Sequence, residues 1–339
     1  MQVTLGSTGM TVNKNGFGAL PIQRVTEAEA VKLLHQAYDG GITFFDTARF
    51  YTDSEQKIGA AFHDMRKKVY IATKTAATTK EAFWKDLETS LQNLQTDCID
   101  LYQFHNPAFC PKPGDGSGVY EAMLEAKKQG KILHIGITNH RLAVAKEAIE
   151  SGLYETLQFP FCYLATEKDL EIVEACKQAG MGFIAMKALS GGLITNARAA
   201  AAFMNEYAHV LPIWGVQREK ELQEFLDFVK EEPVFTTELR AFVEKEKEQL
   251  SGDFCRGCGY CMPCPVGIEI NNCARMSLLL RRAPSEAQLT EEMQAKMKKI
   301  ENCLHCNQCS SRCPYGLDTS ALLQKNYKDY TEVLSGKPL

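Results

Sequence analysis

The chain has 339 residues, 45% of them hydrophobic, and a formal net charge of -4; that suffices for a large buried core and leaves no basic excess for nucleic acid or a membrane surface. No apolar stretch approaches the ~18 residues of a membrane span, and the opening MQVTLGSTGMTVNKNGFGAL has neither a basic start nor an apolar h-region. Nine of the 13 cysteines lie beyond residue 254, while Cys98, Cys110, Cys162 and Cys176 are scattered singly. The expectation is a reducing cytoplasm, with the scattered four as inert core thiols.

From residue 1 to 235, short β-type apolar runs alternate with longer segments of helical period, the pattern of βαβ units around a parallel sheet. The predicted strands are GFGAL (16–20), ITFFD (42–46), KVYIATK (68–74), IDLYQFH (99–105), ILHIGIT (132–138), ETLQFP (155–160), GFIAMKA (182–188) and HVLPIWG (209–215). Eight strands, each followed by a helical segment, predict an α/β fold closed into a (β/α)8 TIM barrel. An open doubly wound sheet is the alternative, but the Gly-x-Gly-x-x-Gly turn expected after its first strand is missing.

Such barrels put chemistry at the C-terminal ends of their strands. Asp46 ends the second predicted strand, Lys74 the third and His105 the fourth, and Asn139 follows the fifth. Taken singly, each is an ordinary polar group at a strand end. Together they suggest a shared rim, where a lysine and an aspartate neutralise one another if they converge.

Residues 236–252 are charged, of helical spacing and stopped by Ser251 and Gly252, which reads as a connecting helix leading to a second domain over 253–339. Two cysteine runs follow, Cys255, Cys258, Cys261, Cys264 with Pro265, and Cys303, Cys306, Cys309, Cys313 with Pro314. This spacing is that of a protein holding two [4Fe-4S] clusters, whereas a zinc site normally takes two close pairs separated by a spacer. Three thiolates at every third residue wrap three corners of a cubane, and the fourth reaches the other cluster. The expected sets are Cys255, Cys258, Cys261 with Cys313, and Cys303, Cys306, Cys309 with Cys264. Between the runs, INNCARMSLLLRRA and TEEMQAKMKKI read as helices separated at Pro284 and Ser285, with Met276, Leu278, Leu279 and Leu280 as an apolar face. Cys273 is expected to be a buried spare thiol and His305 a loop residue, while His140, directly after Thr138 and Asn139, would project near the same rim, exposed to solvent as loop histidines usually are.

Four segments in order, FDTARFY, SEQKIG, VYIATKT and DLYQFHNP, make the first 230 residues resemble the aldo-keto reductases. The resemblance implies a tetrad of Asp46, Tyr51, Lys74 and His105, with hydride transfer from C4 of a nicotinamide to a carbonyl carbon and protonation of the oxygen by the tyrosine. Chemistry agrees, because a phenol titrates near about 10 and is a poor acid at neutral pH without a nearby cation. Lys74 would be that cation, Asp46 would hold it, and His105 would orient the substrate oxygen or share the proton.

The resemblance also implies NADP or NAD. Thr138, Asn139 and Gln158 match residues that hold the nicotinamide carboxamide, Met186 with Lys187 stands where an aromatic normally stacks on the ring, and PIWGVQREK offers Gly215 and Arg218 (or Lys220) for the adenosine phosphates. Phe225 occupies a position usually given to an adenine-contacting asparagine, and Trp214 one where proline is common. CRGCGYCMPCPVGIEI resembles the helical two-cluster modules appended to some bacterial aldo-keto reductases.

The expected protein is thus an iron-sulfur oxidoreductase of aldo-keto reductase type, acting on a small carbonyl or alcohol and coupled to or supported by its clusters, with ferredoxin or another electron-transfer protein as a possible partner. The alternatives are a cluster-driven reductase without nicotinamide, an electron carrier or regulator using the barrel as scaffold, and clusters serving as structural staples. Phe17, Phe50, Phe109, Phe161 and Trp214 are candidate pocket aromatics, though such residues are more often core, and the loop at 110–118 is a candidate lid.

Overall fold

The computed structural model describes residues 1–250, 254–282 and 285–338. These form two compact units, Met1–Ala188 with Arg198–Thr236, and Leu189–Ala197 with Thr237–Leu339. The segment 189–197, which follows the seventh barrel strand, therefore belongs to the second unit.

The first unit opens with an antiparallel hairpin, β1 (Gln2–Thr4) and β2 (Thr11–Asn13). The eight strands β3 (Gly16–Gly18), β4 (Phe44–Asp46), β5 (Tyr70–Thr75), β6 (Ile99–His105), β7 (Ile132–Thr138), β8 (Thr156–Pro160), β9 (Gly182–Met186) and β10 (Val210–Gly215) close into an all-parallel barrel in sequence order. Helices α1 (Glu27–Asp39), α2 (Ser54–Phe62), α3 (Lys80–Asn93), α4 (Val119–Lys128), α5 (Leu142–Ser151), α6 (Glu167–Gln178), α7 (Ala197–Asn205) and α8 (Glu219–Lys230) alternate with them. Every predicted strand is found, most of them shorter. The seventh stops at Met186 because Lys187 turns left-handed, φ +58°.

The hairpin was not foreseen. Val3, Leu5, Met10 and Val12 pack with Phe44, Leu101, Leu211 and Ile213, apolar residues of β4, β6 and β10, so the hairpin closes the floor of the barrel. Helix starts follow local sequence. Thr26 and Glu29 form a capping box on α1, and the Glu221 carboxylate accepts from the backbone N–H groups of Gln217 and Arg218 at 3.0 and 3.1 Å at the start of α8.

Register then brings the rim together. Asp46 lies beside Gly18 and Ala72, Lys74 beside Gln103, His105 beside Thr138, and Thr138 beside Gln158. Asp46, His105 and Thr138 end their strands and Lys74 stands one residue before the end of β5, the rim where a parallel barrel puts its chemistry.

The second unit is helical: α9 (Thr237–Gln249), α10 (Ile270–Cys273), α11 (Met276–Arg282), α12 (Glu291–Lys298), α13 (Gln308–Ser311) and α14 (Thr319–Leu334). Ser251, Gly252 and Pro284, read as helix breakers, lie outside the described residues. Met276, Leu279 and Leu280 enter the core with Ile268, Ile270, Met297, Leu323 and Tyr330, but Leu278 faces another way, as the i, i+3, i+4 geometry requires. The sequence reading had no α14. Asp318 starts it by accepting from Ala321 N at 3.0 Å, and Asp329 ties it to α11 by accepting from both terminal nitrogens of Arg281 at 2.6 and 2.9 Å. Among the described residues, no helix is long and apolar enough to cross a membrane.

Candidate functional site

Lys74 is fully enclosed. Its Nζ donates to both Asp46 carboxylate oxygens at 2.8 and 2.7 Å and to Thr47 O at 2.5 Å. Burial pushes Asp46 up and Lys74 down, and each charge opposes the other's shift. The pair survives burial as ions because three hydrogen bonds accompany the attraction. Gln158 Nε2 approaches Asp46 Oδ2 at 3.4 Å while its own Oε1 accepts from Gln103 Nε2 at 2.9 Å.

Tyr51 lies in the loop after β4. That loop is pinned by Ser54, whose hydroxyl accepts from Thr47 Oγ1 and donates to Ala19 O, both at 2.9 Å. Behind it, Glu55 binds Arg49 at 2.5 Å and accepts from Thr73 and Ser90 hydroxyls at 2.7 Å. The result is that Lys74 Nζ stands 5.3 Å from the Tyr51 ring centroid, and His105 meets the same ring edge-on at 5.9 Å and 83°. Burial, then the Lys74 charge, push His105 down to about 3. Its imidazole is neutral at physiological pH, which leaves it a hydrogen-bonding group and not a charged acid.

Gln103 is the rim residue the sequence reading missed. Its signal was available: it sits two positions before His105 on β6, hence on the same face.

In the second unit, Cys264 lines one pocket with Cys303, Cys306 and Cys309, and Cys261 also borders it. Cys255 and Cys261 are pushed up by burial, Cys261 to about 12, and the charges of Cys258 and Cys313 act on both in the same direction. Each run thus contributes its fourth cysteine to the neighbourhood of the other. Burial disfavours the thiolates of Cys255 and Cys261 until a strongly bound metal centre takes them as ligands, and the donor set suits a thiolate-held cluster. Among the described residues, no three acidic, histidine or cysteine side chains are close enough to share one metal ion; a cubane spreads its ligands over its corners. His305, at the tip of the second run, is exposed with φ +50°, and Cys273 is buried with no exposure.

Residues 9–239 match the Aldo/keto reductase family. The chain belongs to that family. Residues 254–318 match the 4Fe-4S dicluster domain, so this family member carries a dicluster iron-sulfur domain, and two clusters follow from the domain's name. Among curated relatives, L-galactose dehydrogenase of Arabidopsis thaliana is 29% identical over 212 residues, 57% of this chain and 66% of the relative. The uncharacterized oxidoreductase YrpG of Bacillus subtilis is 30% identical over 221 residues, 56% of this chain and 67% of the relative. The chain spans about two thirds of the length of these relatives. Among solved structures, aldo-keto reductase AKR11C1 from Bacillus halodurans (holo form) superposes with a TM-score of 0.64 at 21% identity, covering 72% of this chain and 95% of that one. An aldo-keto reductase from Klebsiella pneumoniae in complex with NADPH gives 0.62 at 20%, covering 72% and 94%. These likenesses carry the barrel fold.

The side chains expected to meet a nicotinamide are engaged within the protein. Thr138 Oγ1 accepts from Asn106 N at 3.2 Å, and Asn139 donates to Pro107 O at 2.9 Å and accepts from Arg141 N at 2.8 Å. Met186 and Lys187 are half-buried. At the other end, Gly215 is exposed at the end of β10 and Arg218 is exposed with its guanidinium 3.8 Å from Glu221. His140, expected at the surface, is buried at 3% exposure, its backbone N–H bonded to Asn106 Oδ1 at 3.2 Å. Of the candidate pocket aromatics, Phe17, Phe161 and Trp214 are core, each 1% exposed, while Phe50 and Phe109 are exposed at 69% and 40%. Phe50 flanks His105 at 6.2 Å.

Proposed function

We propose that the barrel mouth interconverts a small carbonyl compound and its alcohol, with Tyr51 as general acid and base. The observation that carries this reading is the placement of the Asp46-bound Lys74 ammonium over the Tyr51 ring with His105 on the same ring. A bound NADPH or NADH would supply the hydride for the carbonyl carbon, becoming NADP or NAD. Tyr51 gives its hydroxyl proton to the oxygen as negative charge develops there, and Lys74 stabilises the phenolate left behind. Asp46 keeps Lys74 charged and fixed. Neutral His105 donates an N–H to the substrate oxygen. In the reverse direction the phenolate takes the alcohol proton.

Thr138, Asn139, Gln158, Met186 and Lys187 would receive the nicotinamide, and Gly215 with Arg218 the adenosine phosphates; support comes from the family resemblance and from the Klebsiella pneumoniae neighbour solved with NADPH. The cysteine neighbourhoods support crossed ligation, Cys255, Cys258, Cys261 and Cys313 for one cluster, Cys303, Cys306, Cys309 and Cys264 for the other. The clusters exchange electrons with a one-electron partner such as ferredoxin in the cytoplasm.

The test is NADPH-dependent turnover of a carbonyl panel by Tyr51→Phe. Turnover should fall about 10²–10⁴-fold, the range for loss of a general acid, with NADPH binding retained. Unchanged turnover would remove Tyr51 from the mechanism.

A second reading, a cluster-driven reductase without nicotinamide, is favoured by one observation. Phe225 is buried against Trp214 and offers the adenosine no polar contact. Anaerobic titration with NADPH separates the two readings: no binding by cluster-replete protein selects the second.

A further inference from the structure

Arg275, in the turn between α10 and α11, is clamped by two left-handed glycines, Gly257 at φ +66° and Gly191 at φ +64°. A Cβ on Gly257 would stand 2.8 Å from Cζ and Nη1 of the guanidinium, and one on Gly191 2.9 Å from Nη1. Both positions admit the guanidinium only as glycine. Nη1 donates to Gly191 O at 2.8 Å, but Nε is buried with no protein partner. A buried charged donor left open is uncommon and points to an acceptor outside the polypeptide.

Its surroundings say which acceptor. Burial lowers Arg275 while the Cys255 charge opposes that shift, and Gly257, in contact with the guanidinium, directs its backbone N–H to Cys255 Sγ at 3.4 Å. Arg275 therefore flanks the quartet of Cys255, Cys258, Cys261 and Cys313. Among the described residues, none lining the cavity at Cys264, Cys303, Cys306 and Cys309 is a lysine or arginine, and Cys306 there is exposed.

We propose that Arg275 sets the reduction potential of the first cluster, with its charge and its Nε–H serving the cluster's sulfur shell. This rests on the ligand assignment given above. Reduction by a one-electron donor adds one negative charge and no proton, and a fixed cation in a partly desolvated site stabilises the product selectively. The two clusters are thereby made unequal, the first biased toward holding the electron.

The test is a dye-mediated redox titration of the cluster-replete full chain followed by electron paramagnetic resonance, the first cluster being the one whose signal survives Cys264→Ser. Arg275→Gln should lower the first cluster's reduction constant about tenfold, a downward shift of about 59 mV for one electron, with the second cluster unmoved. Arg275→Lys, which keeps the charge, should lose less than about threefold. An unmoved first cluster, or equal shifts in both, overturns the inference. Should Arg275→Gln fail to take up iron, Gly191→Ala, outside both cysteine runs, should displace the guanidinium and shift the potential in the same direction; no shift there also overturns it. Parent protein that holds no pair of clusters overturns the ligand assignment as well, whereas loaded protein with an unmoved potential overturns only the role of Arg275.

Discussion

Phe225 lies flat on Trp214, ring centroids 4.6 Å apart and planes inclined by 17°. The stack joins α8 to β10 and is closed by Trp214 Nε1 donating to Asn15 Oδ1 at 2.9 Å and by Phe228 edge-on to Phe225 at 5.8 Å. A residue position that the family commonly uses for adenine is here spent on the core. Phe225→Ala should therefore destabilise the barrel by about 3–5 kcal/mol, the usual cost of emptying a buried phenylalanine site, without weakening NADPH binding. Chemical denaturation and a dye-free binding titration check both halves, and an unchanged midpoint would show the stack to be dispensable.

Asp46 and Lys74 differ from a surface pair because neither can turn to water. Asp46→Asn leaves a buried ammonium without the carboxylate that balances it, its acceptors reduced to one amide oxygen and Thr47 O, and should cost about 3–5 kcal/mol. The double variant Asp46→Leu with Lys74→Met should recover part of that loss, since it removes the unpaired charge. A double-mutant cycle with denaturation as readout measures the coupling. Additive single effects would mean that the two charges do not support each other.

His105 predicts a pH dependence with a definite sign. The unfolded imidazole takes a proton near 6.5, whereas burial, then Lys74, hold the folded one down to about 3. Between those values the unfolded chain binds more protons. Stability is thus full above 6.5 and falls as the pH drops toward 3, by up to about 1.4 kcal/mol per unit. His105→Asn should flatten that slope relative to the parent. In turnover, the neutral histidine predicts no limb near 6.5 in the parent's pH profile; a limb that disappears in His105→Asn would contradict the neutral form.

The barrel was legible because its strands carry continuous apolar runs bounded by helical period, and Asp46, Lys74 and His105 could be placed from strand ends alone. What escaped is what depends on tertiary partners. β1 and β2 are three residues each, too short to show period 2, and acquire meaning only against Phe44 and Leu101. His140 looked like a surface residue because nothing in TNHR shows that Asn106 would draw its backbone inward. Trp214 and Phe225 are separated by eleven positions and a change of element, so their stacking has no local signature. α14 does have one, Asp318 followed by Leu322, Leu323, Asn326 and Tyr330 at helical spacing.

The crossed cysteine arrangement yields the last prediction. Cys264 is in the first run by sequence but lines the cavity of Cys303, Cys306 and Cys309 in space, while Cys313 acts electrostatically on Cys255 and Cys261. A serine at 264 keeps the size of the side chain and weakens a ligand of the second cluster. Cys264→Ser should therefore reduce iron and sulfide content by about half or leave an incomplete second cluster, with the first cluster's spectrum unchanged. Cys313→Ser should do the converse. If Cys264→Ser alters the first cluster's spectrum and leaves the second intact, each run closes its own cluster, and the proximity of Cys264 to the second run has no part in ligation.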